Sequence, residues 1–154
     1  MSYIRYKNNN LFVERISVRS LASKLSTPFY LYSEGSIAEN YKSFSSNFKK
    51  SKPLICFSVK ANSNIQILKI LKKMGSGADV VSGGELLKAI KSGIKPNKIV
   101  FSGVGKTEDE IKLAIKKNIL LINVESENEA ILIDKIAGKL KKKIAIGIRI
   151  NPDI

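Results

Sequence analysis

From residue 54 onward the chain alternates short apolar runs with amphipathic stretches, and this repeat constrains its fold more than any other feature. The apolar runs predict strands over 54–60, 78–81, 98–102, 120–124 and 143–150. The stretches between them predict helices over 64–74, 83–92, 107–117 and 126–140. Because the unit recurs roughly every 22 residues, the pattern predicts an α/β fold with parallel strands joined by crossover helices.

The ends of the predicted helices carry their own signals. Four serine or threonine residues stand three positions before a glutamate, the capping-box spacing in which hydroxyl and carboxylate satisfy free amide groups. The pairs are Ser36…Glu39, Ser82…Glu85, Thr107…Glu110 and Ser126…Glu129. Gly75, Gly77 and Gly93 fall where helices should end, as C-terminal capping glycines do.

Two architectures fit this alternation, an open doubly wound sheet and a (β/α)8 barrel. In the last predicted strand isoleucines occupy one face, while Ala145, Gly147 and Arg149 occupy the other, because strand side chains alternate. The strand at 54–60 has the same asymmetry. A barrel lumen with a ligand at its carboxyl end favours such strands. Five strands are predicted where a closed barrel has about eight, so we expect the first part of a TIM-like barrel, truncated after its fifth strand.

Lys60 stands at the carboxyl end of the first predicted strand, on the same face as Cys56 and Ser58. Small neighbours leave room beside the amine, and an amine in a pocket can form a Schiff base with an aldehyde such as pyridoxal phosphate. The alternative is a lysine that only marks the solvated end of a strand. We interpret Cys56 as a small filler rather than a nucleophile.

Two further motifs invite a binding role. The run from Gly103 to Thr107 (GVGKT) is similar to the end of a nucleotide P-loop, but Val100 stands where that motif needs its first glycine. We therefore interpret Thr107 as a helix N-cap. The turn at 82–85 (SGGE) either offers amide groups to an anion or forms only a tight turn with a capping box.

Composition restricts the possible partners. Net charge is +14, but only four of the 27 basic residues are arginine, fewer than phosphate-reading surfaces usually carry, so we expect no nucleic-acid partner. The absence of histidine and the single cysteine argue against a metal site and an internal disulfide and favour the cytoplasm. No apolar run approaches the length of a membrane span, and the N-terminus lacks a secretory signal, so we expect no membrane partner.

Residues 1–32 differ from the repeat that follows. They combine a polar start, a short amphipathic stretch and an extended run in which Pro28 restricts the backbone. We predict that 1–32 is a separate segment that packs with a β-domain outside this sequence. Residues 33–154 are then the partial barrel.

Five motifs, in order and spacing, resemble the diaminopimelate decarboxylases. They are 57–64 (FSVKANSN), 77–86 (GADVVSGGEL), 99–107 (IVFSGVGKT), 122–126 (INVES) and 148–152 (IRINP). The segment at 27–33 (TPFYLYS) is similar to the way that family's chain approaches its barrel. The resemblance covers residues 3–154.

The resemblance implies a fold-type III, alanine-racemase-like barrel with pyridoxal 5′-phosphate as cofactor. It implies decarboxylation of meso-2,6-diaminopimelate to L-lysine and CO2, the last step of lysine biosynthesis, in a cytoplasmic homodimer. Carried over to this sequence, Lys60 is the Schiff-base lysine, and Asp79 is a second catalytic residue near the cofactor. Arg149 lies on the cofactor side of the fifth strand. The alternatives are a surface salt bridge for Asp79 and an ion pair capping the lumen for Arg149.

The family's phosphate loop, ring-nitrogen acid and substrate ligands have no counterpart in these residues, so we expect residues 1–154 alone to be inactive. Two other functions stay open. One is a fold-type III decarboxylase acting on ornithine, arginine or carboxynorspermidine, against which the motif at 77–86 argues. The other is a non-catalytic, single-barrel carrier of pyridoxal phosphate, which a β-domain downstream would exclude.

Overall fold

The chain divides into two compact units, Met1–Lys50 and Ser51–Ile154. The structure, a computed structural model, describes residues 3–48, 51 and 53–152. Residues 1 and 2 of the predicted N-terminal segment therefore lie outside the described residues, as do residues 49, 50, 52, 153 and 154 of the predicted barrel. The predicted domain boundary between residues 32 and 33 stays a prediction.

The first unit contains a three-stranded antiparallel sheet in the order β1-β2-β3, followed by two helices. Its elements are β1 (Ile4–Lys7), β2 (Asn10–Val13), β3 (Ile16–Ser17), α1 (Val18–Ala22) and α2 (Glu34–Ser46). The β1–β2 hairpin turns at Asn8 and Asn9, with φ angles of 49° and 55°, a region that asparagine tolerates better than most residues. These strands were not predicted, because runs of two to four residues are too short for periodicity to show.

Helix α2 begins earlier than its predicted capping box. Ser33 is the N-cap, and its Oγ accepts a hydrogen bond from Ser36 N at 2.9 Å. The Glu14 carboxylate accepts bonds from Ser33 Oγ at 2.7 Å and from Gly35 N at 2.9 Å, and these bonds lower the pKa of Glu14. The predicted box Ser36…Glu39 is therefore wrong, because a serine three residues upstream and a distant carboxylate already satisfy the first amides.

The second unit contains five parallel strands and four α-helices among its described residues. The strands are β4 (Cys56–Ser58), β5 (Gly77–Val80), β6 (Ile99–Phe101), β7 (Leu121–Val124) and β8 (Ala145–Ile148). The helices are α3 (Ile65–Lys73), α4 (Gly83–Lys91), α5 (Glu108–Lys117) and α6 (Glu127–Lys139). Two 3-10 turns, Val59–Ala61 and Pro96–Lys98, complete the list of regular elements. Every predicted strand and helix of this unit is present, in the predicted order.

Each strand of this sheet pairs in parallel with the next strand along the chain, in the order β4-β5-β6-β7-β8. A doubly wound sheet would reverse its order at some point, and this sheet does not. Right-handed crossovers that always advance in one direction place their helices on one face. The sheet is therefore the start of a barrel, and the predicted fold class is confirmed.

Side-chain alternation separates the two faces of this sheet. One face packs against the helices in a single apolar core, to which the strands contribute Ala78, Val80, Ile99, Phe101, Ile122 and Val124. The helices contribute Leu68, Leu86, Ala89, Ile111, Ala114, Ile115, Ile133, Ile136 and Ala137. The opposite face, which we call the inner face, carries mostly small or polar strand residues, namely Cys56, Ser58, Gly77, Asp79, Asn123, Ala145 and Gly147, together with the larger Val100 and Leu121. The predicted asymmetry of large and small faces is thus present.

Local capping explains where the helices begin. Ser82, Thr107 and Ser126 are the N-caps of α4, α5 and α6, and each accepts a bond from the amide three residues later. Only Thr107 forms the complete capping box. In the other two helices the glutamate bonds the residue before the cap, so Glu85 accepts from Val81 N at 2.9 Å and Glu129 accepts from Glu125 N at 2.8 Å.

Two of the three glycines predicted to end helices do so. Gly75 and Gly93 follow the C-caps of α3 and α4 with φ angles of +92°. Gly77 instead lies inside β5, so that prediction was wrong. A Cβ at Gly77 would overlap the carbonyl oxygen of Lys98 and lie 2.8 Å from Cys56 Sγ, so close approach explains this glycine.

We predict that Gly77→Ala lowers the free energy of unfolding by about 1–3 kcal/mol, because backbone must shift to accept the new methyl group. Gly138→Ala is the matched control, since nothing lies within 4 Å of a Cβ there. In that helix alanine should raise stability by about 0.5–1 kcal/mol. Urea unfolding of the full-length protein measures both. Equal midpoints for the two variants would contradict the close approach.

Candidate functional site

Lys60 follows β4 at the carboxyl edge of the sheet. The strand ends at Ser58, two residues earlier than predicted, and Lys60 lies in the 3-10 turn Val59–Ala61, closed by a bond from Asn62 N to Val59 O at 3.1 Å. Val59 is fully buried in the core while Lys60 is exposed. Within the described residues the Lys60 amine has no hydrogen-bond or ion-pair partner, so it is available to a ligand.

Asp79 lies on the inner face of β5, paired in register with Ser58 of the neighbouring strand. Ser102, directly after β6, donates a hydrogen bond from its Oγ to Asp79 Oδ1 at 2.5 Å. Asn123 of β7 donates from Nδ2 to Ser102 Oγ at 2.9 Å. The surface salt bridge considered for Asp79 is absent among the described residues, and a side-chain hydrogen bond from the inner face takes its place.

Arg149 follows β8 directly, and its amide bonds Val124 O at 3.0 Å. Its guanidinium donates to Glu125 Oε1 at 3.2 Å and to Asn151 Oδ1 at 3.2 Å, with about half of the side chain exposed. The same Glu125 oxygen accepts from Gly103 N at 3.1 Å. Glu125 therefore joins the loop after β6 to Arg149, which agrees with the ion-pair alternative considered from the sequence.

Sequence reasoning placed Lys60, Asp79 and Arg149 at one edge of the sheet, and the structure puts all three at the carboxyl ends of their strands. Asp79 is one strand from Lys60, whereas Arg149 follows the strand at the far end of the order. No hydrogen bond or ion pair joins the three to one another among the described residues. Ser102, Asn123 and Glu125 were missed as single residues although they lie in the quoted motifs, because only tertiary contacts reveal their partners.

Lys106 lies in the loop between β6 and α5 and is buried, with only 1% of its side chain exposed. Its amine donates to Gly103 O at 2.6 Å, to Asn123 O at 2.7 Å and to Glu129 Oε1 at 3.0 Å, and it stands 5.9 Å from the centre of the Phe101 ring. All three protons are therefore used within the protein. Within the GVGKT run the buried Lys106 amine links the loop after β6 to β7 and α6, and the N-cap interpretation of Thr107 is confirmed.

The SGGE turn offered either an anion site or a capped helix start. The Gly83 amide donates to Glu110 Oε1 at 2.8 Å, and Glu110 Oε2 also accepts from Thr107 N at 3.0 Å. A carboxylate of the protein thus occupies the N-terminus of α4. Hydrogen bonds from Gly83 and Thr107 lower the pKa of Glu110.

Cys56 lies on the inner face of β4, half-buried, with its Sγ 3.8 Å from Lys98 O. Burial raises the pKa of the Cys56 thiol, and the negative charge of Asp79 raises it further. Because the thiolate is the reactive form, these effects support the interpretation of Cys56 as a filler.

Neither a metal-binding cluster nor a membrane-spanning helix is present among the described residues. No group of three or more histidine, cysteine, aspartate or glutamate residues there is arranged to hold a metal ion. None of the helices described is both long and apolar enough to span a bilayer.

Barrel enzymes carry their active sites at the carboxyl ends of their parallel strands. The amine of Lys60, the carboxylate of Asp79 and the guanidinium of Arg149 lie at that edge of this sheet, as expected for this class of protein. A family model described as "Pyridoxal-dependent decarboxylase, pyridoxal binding domain" matches residues 34–154. The chain belongs to this family of pyridoxal-dependent decarboxylases.

Two relatives of this chain within the family are named diaminopimelate decarboxylase. The chain is 47% identical over 152 residues to the diaminopimelate decarboxylase of Aquifex aeolicus, covering 99% of this chain and 36% of that protein. It is 54% identical over 128 residues to the diaminopimelate decarboxylase of Helicobacter pylori strain J99, covering 83% of this chain and 32% of that protein. The chain thus spans about a third of the length of these curated relatives.

A solved structure gives the same result. The crystal structure of diaminopimelate decarboxylase from M. jannaschii in complex with L-lysine matches with a TM-score of 0.94 and 38% identity. The match covers 98% of this chain and 36% of that one. The resemblance drawn from the five sequence motifs is confirmed.

We predict that Glu110→Gln lowers stability at pH 7 by about 1 kcal/mol, the size of a helix cap, because the amide side chain loses an acceptor. The pKa of Glu110 is lower in the folded state, so its contribution is fully present above the unfolded value of about 4.3. It is lost as the pH falls through the folded pKa.

The measurement is urea unfolding of the full-length protein between pH 3 and pH 7, where the gap between wild type and Glu110→Gln should close in acid. Glu108→Gln is the control, because Glu108 starts the same helix with no side-chain hydrogen bond among the described residues. A gap that stays constant down to pH 3 would count against the predicted linkage.

Proposed function

We propose that this chain is part of a diaminopimelate decarboxylase, which converts meso-2,6-diaminopimelate to L-lysine and CO2, with residues 33–154 as the first part of its cofactor barrel and residues 1–32 as a segment that packs with its β-domain. The observation that carries the proposal is the 47% identity to a protein of that name across 99% of this chain. The ordered set of Lys60, Asp79 and Arg149 at the ligand-binding edge supports it. Because the chain spans about a third of its relatives, activity belongs to the full-length protein.

Pyridoxal phosphate fits the residues present at this edge. The exposed Lys60 amine has no partner among the described residues, as attachment to an aldehyde requires. The inner face of the strands that precede Lys60 and Arg149 carries small residues, namely Cys56, Ser58 and Gly147. Asp79 and Arg149 add one group of each charge, already oriented by Ser102 and Glu125. When bound, this cofactor withdraws the electron pair that decarboxylation leaves on the substrate carbon.

The roles of the residues follow from their chemistry. Lys60 would hold the cofactor through its amine and would deliver a proton to the substrate carbon that loses CO2. Asp79, on the strand next to Lys60, orients the Lys60 amine or the cofactor ring. Arg149, held by Glu125, places a positive charge at the far side of the same edge.

Substrate class, assembly and location complete the proposal. An amino acid is the substrate, and relatives named for diaminopimelate favour it over ornithine, arginine or carboxynorspermidine. The full-length protein is a homodimer in the cytoplasm. Gel filtration with light scattering tests the dimer, and turnover of each amino acid by the purified enzyme tests the substrate.

We expect borohydride reduction of the full-length protein with pyridoxal phosphate to fix the cofactor on Lys60, because that amine is exposed and unpaired within the described residues. Peptide mass mapping locates the label. Lys88→Ala is a control that should keep the label, since the Lys88 amine is bound to Ser63 Oγ at 2.9 Å on the exposed surface. Specific label on another lysine, or none in the wild type, would contradict the assignment.

We expect Lys60→Ala to lower kcat by at least about 10³-fold, because covalent attachment and proton delivery are both lost. Asp79→Ala should lower kcat by about 10–100-fold, the cost of misplaced groups rather than of a missing step. Release of CO2 from diaminopimelate measures both. Near-wild-type turnover in Lys60→Ala would refute the mechanism, whereas equal and total loss in both would refute only the ranking.

A further inference from the structure

Three side chains form a hydrogen-bonded chain across the inner face, from β7 through the end of β6 to β5. Asn123 Nδ2 donates to Ser102 Oγ at 2.9 Å, and Ser102 Oγ donates to Asp79 Oδ1 at 2.5 Å. All three residues are partly buried. None of the motifs or their expected roles assigns a function to Ser102 or Asn123.

The direction of this chain is fixed by the chemistry of its members. A carboxamide nitrogen can only donate, so Ser102 Oγ must accept from Asn123. A serine hydroxyl has a single proton, and that proton is then free to go to Asp79. Asn123 therefore decides how the Ser102 hydroxyl is oriented, and Ser102 in turn holds one oxygen of the Asp79 carboxylate.

Asn123 is itself held from several sides. Its carbonyl oxygen accepts from the buried Lys106 amine at 2.7 Å. Its side-chain oxygen occupies the space above Gly147, where a Cβ would overlap it. Since β7 pairs Asn123 with Gly147 in register, the glycine leaves room for the amide on the neighbouring strand. Asn123, the first member of this series of hydrogen bonds, is therefore held rigidly.

Asp79 needs such support to act from a defined position. The terminal torsion of an aspartate side chain is broad, so the plane of its carboxylate is poorly fixed by the residue itself. A catalytic group that drifts by about 1 Å can cost about 10²-fold in rate. The bond from Ser102 removes this freedom, and the second carboxylate oxygen has no partner among the described residues and stays available.

We infer that Ser102 and Asn123 are positioning residues that hold the Asp79 carboxylate in one orientation toward the group bound at Lys60. The inference rests on the proposed function for the roles of Lys60 and Asp79. It adds two residues that act only through Asp79 and touch neither substrate nor cofactor.

A purely structural role makes a different prediction. One hydrogen bond between partly buried groups contributes modestly to stability, and its loss alone would leave the turnover of the folded enzyme unchanged. Positioning instead predicts a loss of kcat that depends on the presence of Asp79. A double-mutant cycle between Ser102 and Asp79 separates the two possibilities.

The experiment compares full-length wild type with Ser102→Ala, Asp79→Ala and the double variant. We expect Ser102→Ala to lower kcat by about 10-fold or more, within the range that misplacement costs. The kcat of the double variant should be no lower than that of Asp79→Ala alone. Ser102→Thr, which keeps the hydroxyl, should stay within about threefold of wild type. Asn123→Ala should show a smaller loss of the same kind, because Ser102 can still donate without it.

Ser92→Ala is the control for a structural serine. Ser92, the C-cap of α4, is buried and donates from Oγ to Ala89 O at 2.6 Å, and no hydrogen bond joins it to the inner-face residues described. It should lower the unfolding midpoint and leave kcat unchanged. An unchanged kcat in both Ser102→Ala and Asn123→Ala, or losses that add to that of Asp79→Ala, would overturn the inference.

A second measurement does not depend on the substrate. The visible circular dichroism of bound pyridoxal phosphate reports how its surroundings are oriented, and it should change alike in Ser102→Ala, Asp79→Ala and the double variant. If the wild type binds the cofactor but does not release CO2 from diaminopimelate, the proposed function fails while this cycle still tests the positioning. Absence of cofactor binding in the wild type would overturn both.

Discussion

The pairing of each parallel strand with the next strand in sequence is the constraint on which the second unit depends. Because every crossover advances the same way, the helices share one face, and most large apolar strand residues point there. The other face carries mostly small and polar side chains, with Val100 and Leu121 as large apolar exceptions. Asp79 on this face and Arg149 just beyond it are consequences of that division, since neither could be accommodated in the core among Phe101 and Ile122.

Carboxylates fix the loops at the carboxyl edge, where a ligand is expected. Glu110 closes the gap between the starts of α4 and α5, Glu129 joins the start of α6 to Lys106, and Glu125 connects the loop after β6 with Arg149. The buried Lys106 ties the ends of β6 and β7 through two carbonyl oxygens. Lys106 and Glu129 form a buried ion pair, and removal of either residue would leave an uncompensated charge. These contacts therefore hold the edge in one arrangement.

Periodicity predicted the strands and helices of the second unit because core burial imposes it on every element. It overestimated the length of the first strand, since Val59 and Lys60 alternate equally well in a strand and in the 3-10 turn that follows Ser58. It misplaced Gly77, because a glycine that ends a helix and one that permits close approach to Lys98 look the same in sequence. The short strands of the first unit gave too few residues for a period to appear.

The sequence by itself determined the order of the elements, the two faces of the barrel strands and the family, because these follow from side-chain alternation and from motifs read along the chain. It also placed Lys60, Asp79 and Arg149 at strand ends. Only the tertiary structure decided the partners of Asp79 and Arg149, since Ser102 and Glu125 bond them from strand ends about 20 residues away in sequence, and Asn123 bonds Ser102 in turn. Hydrogen bonds between side chains of different strands depend on strand register and twist. The sequence pattern of one strand therefore does not specify which side chain of the neighbouring strand will contact it.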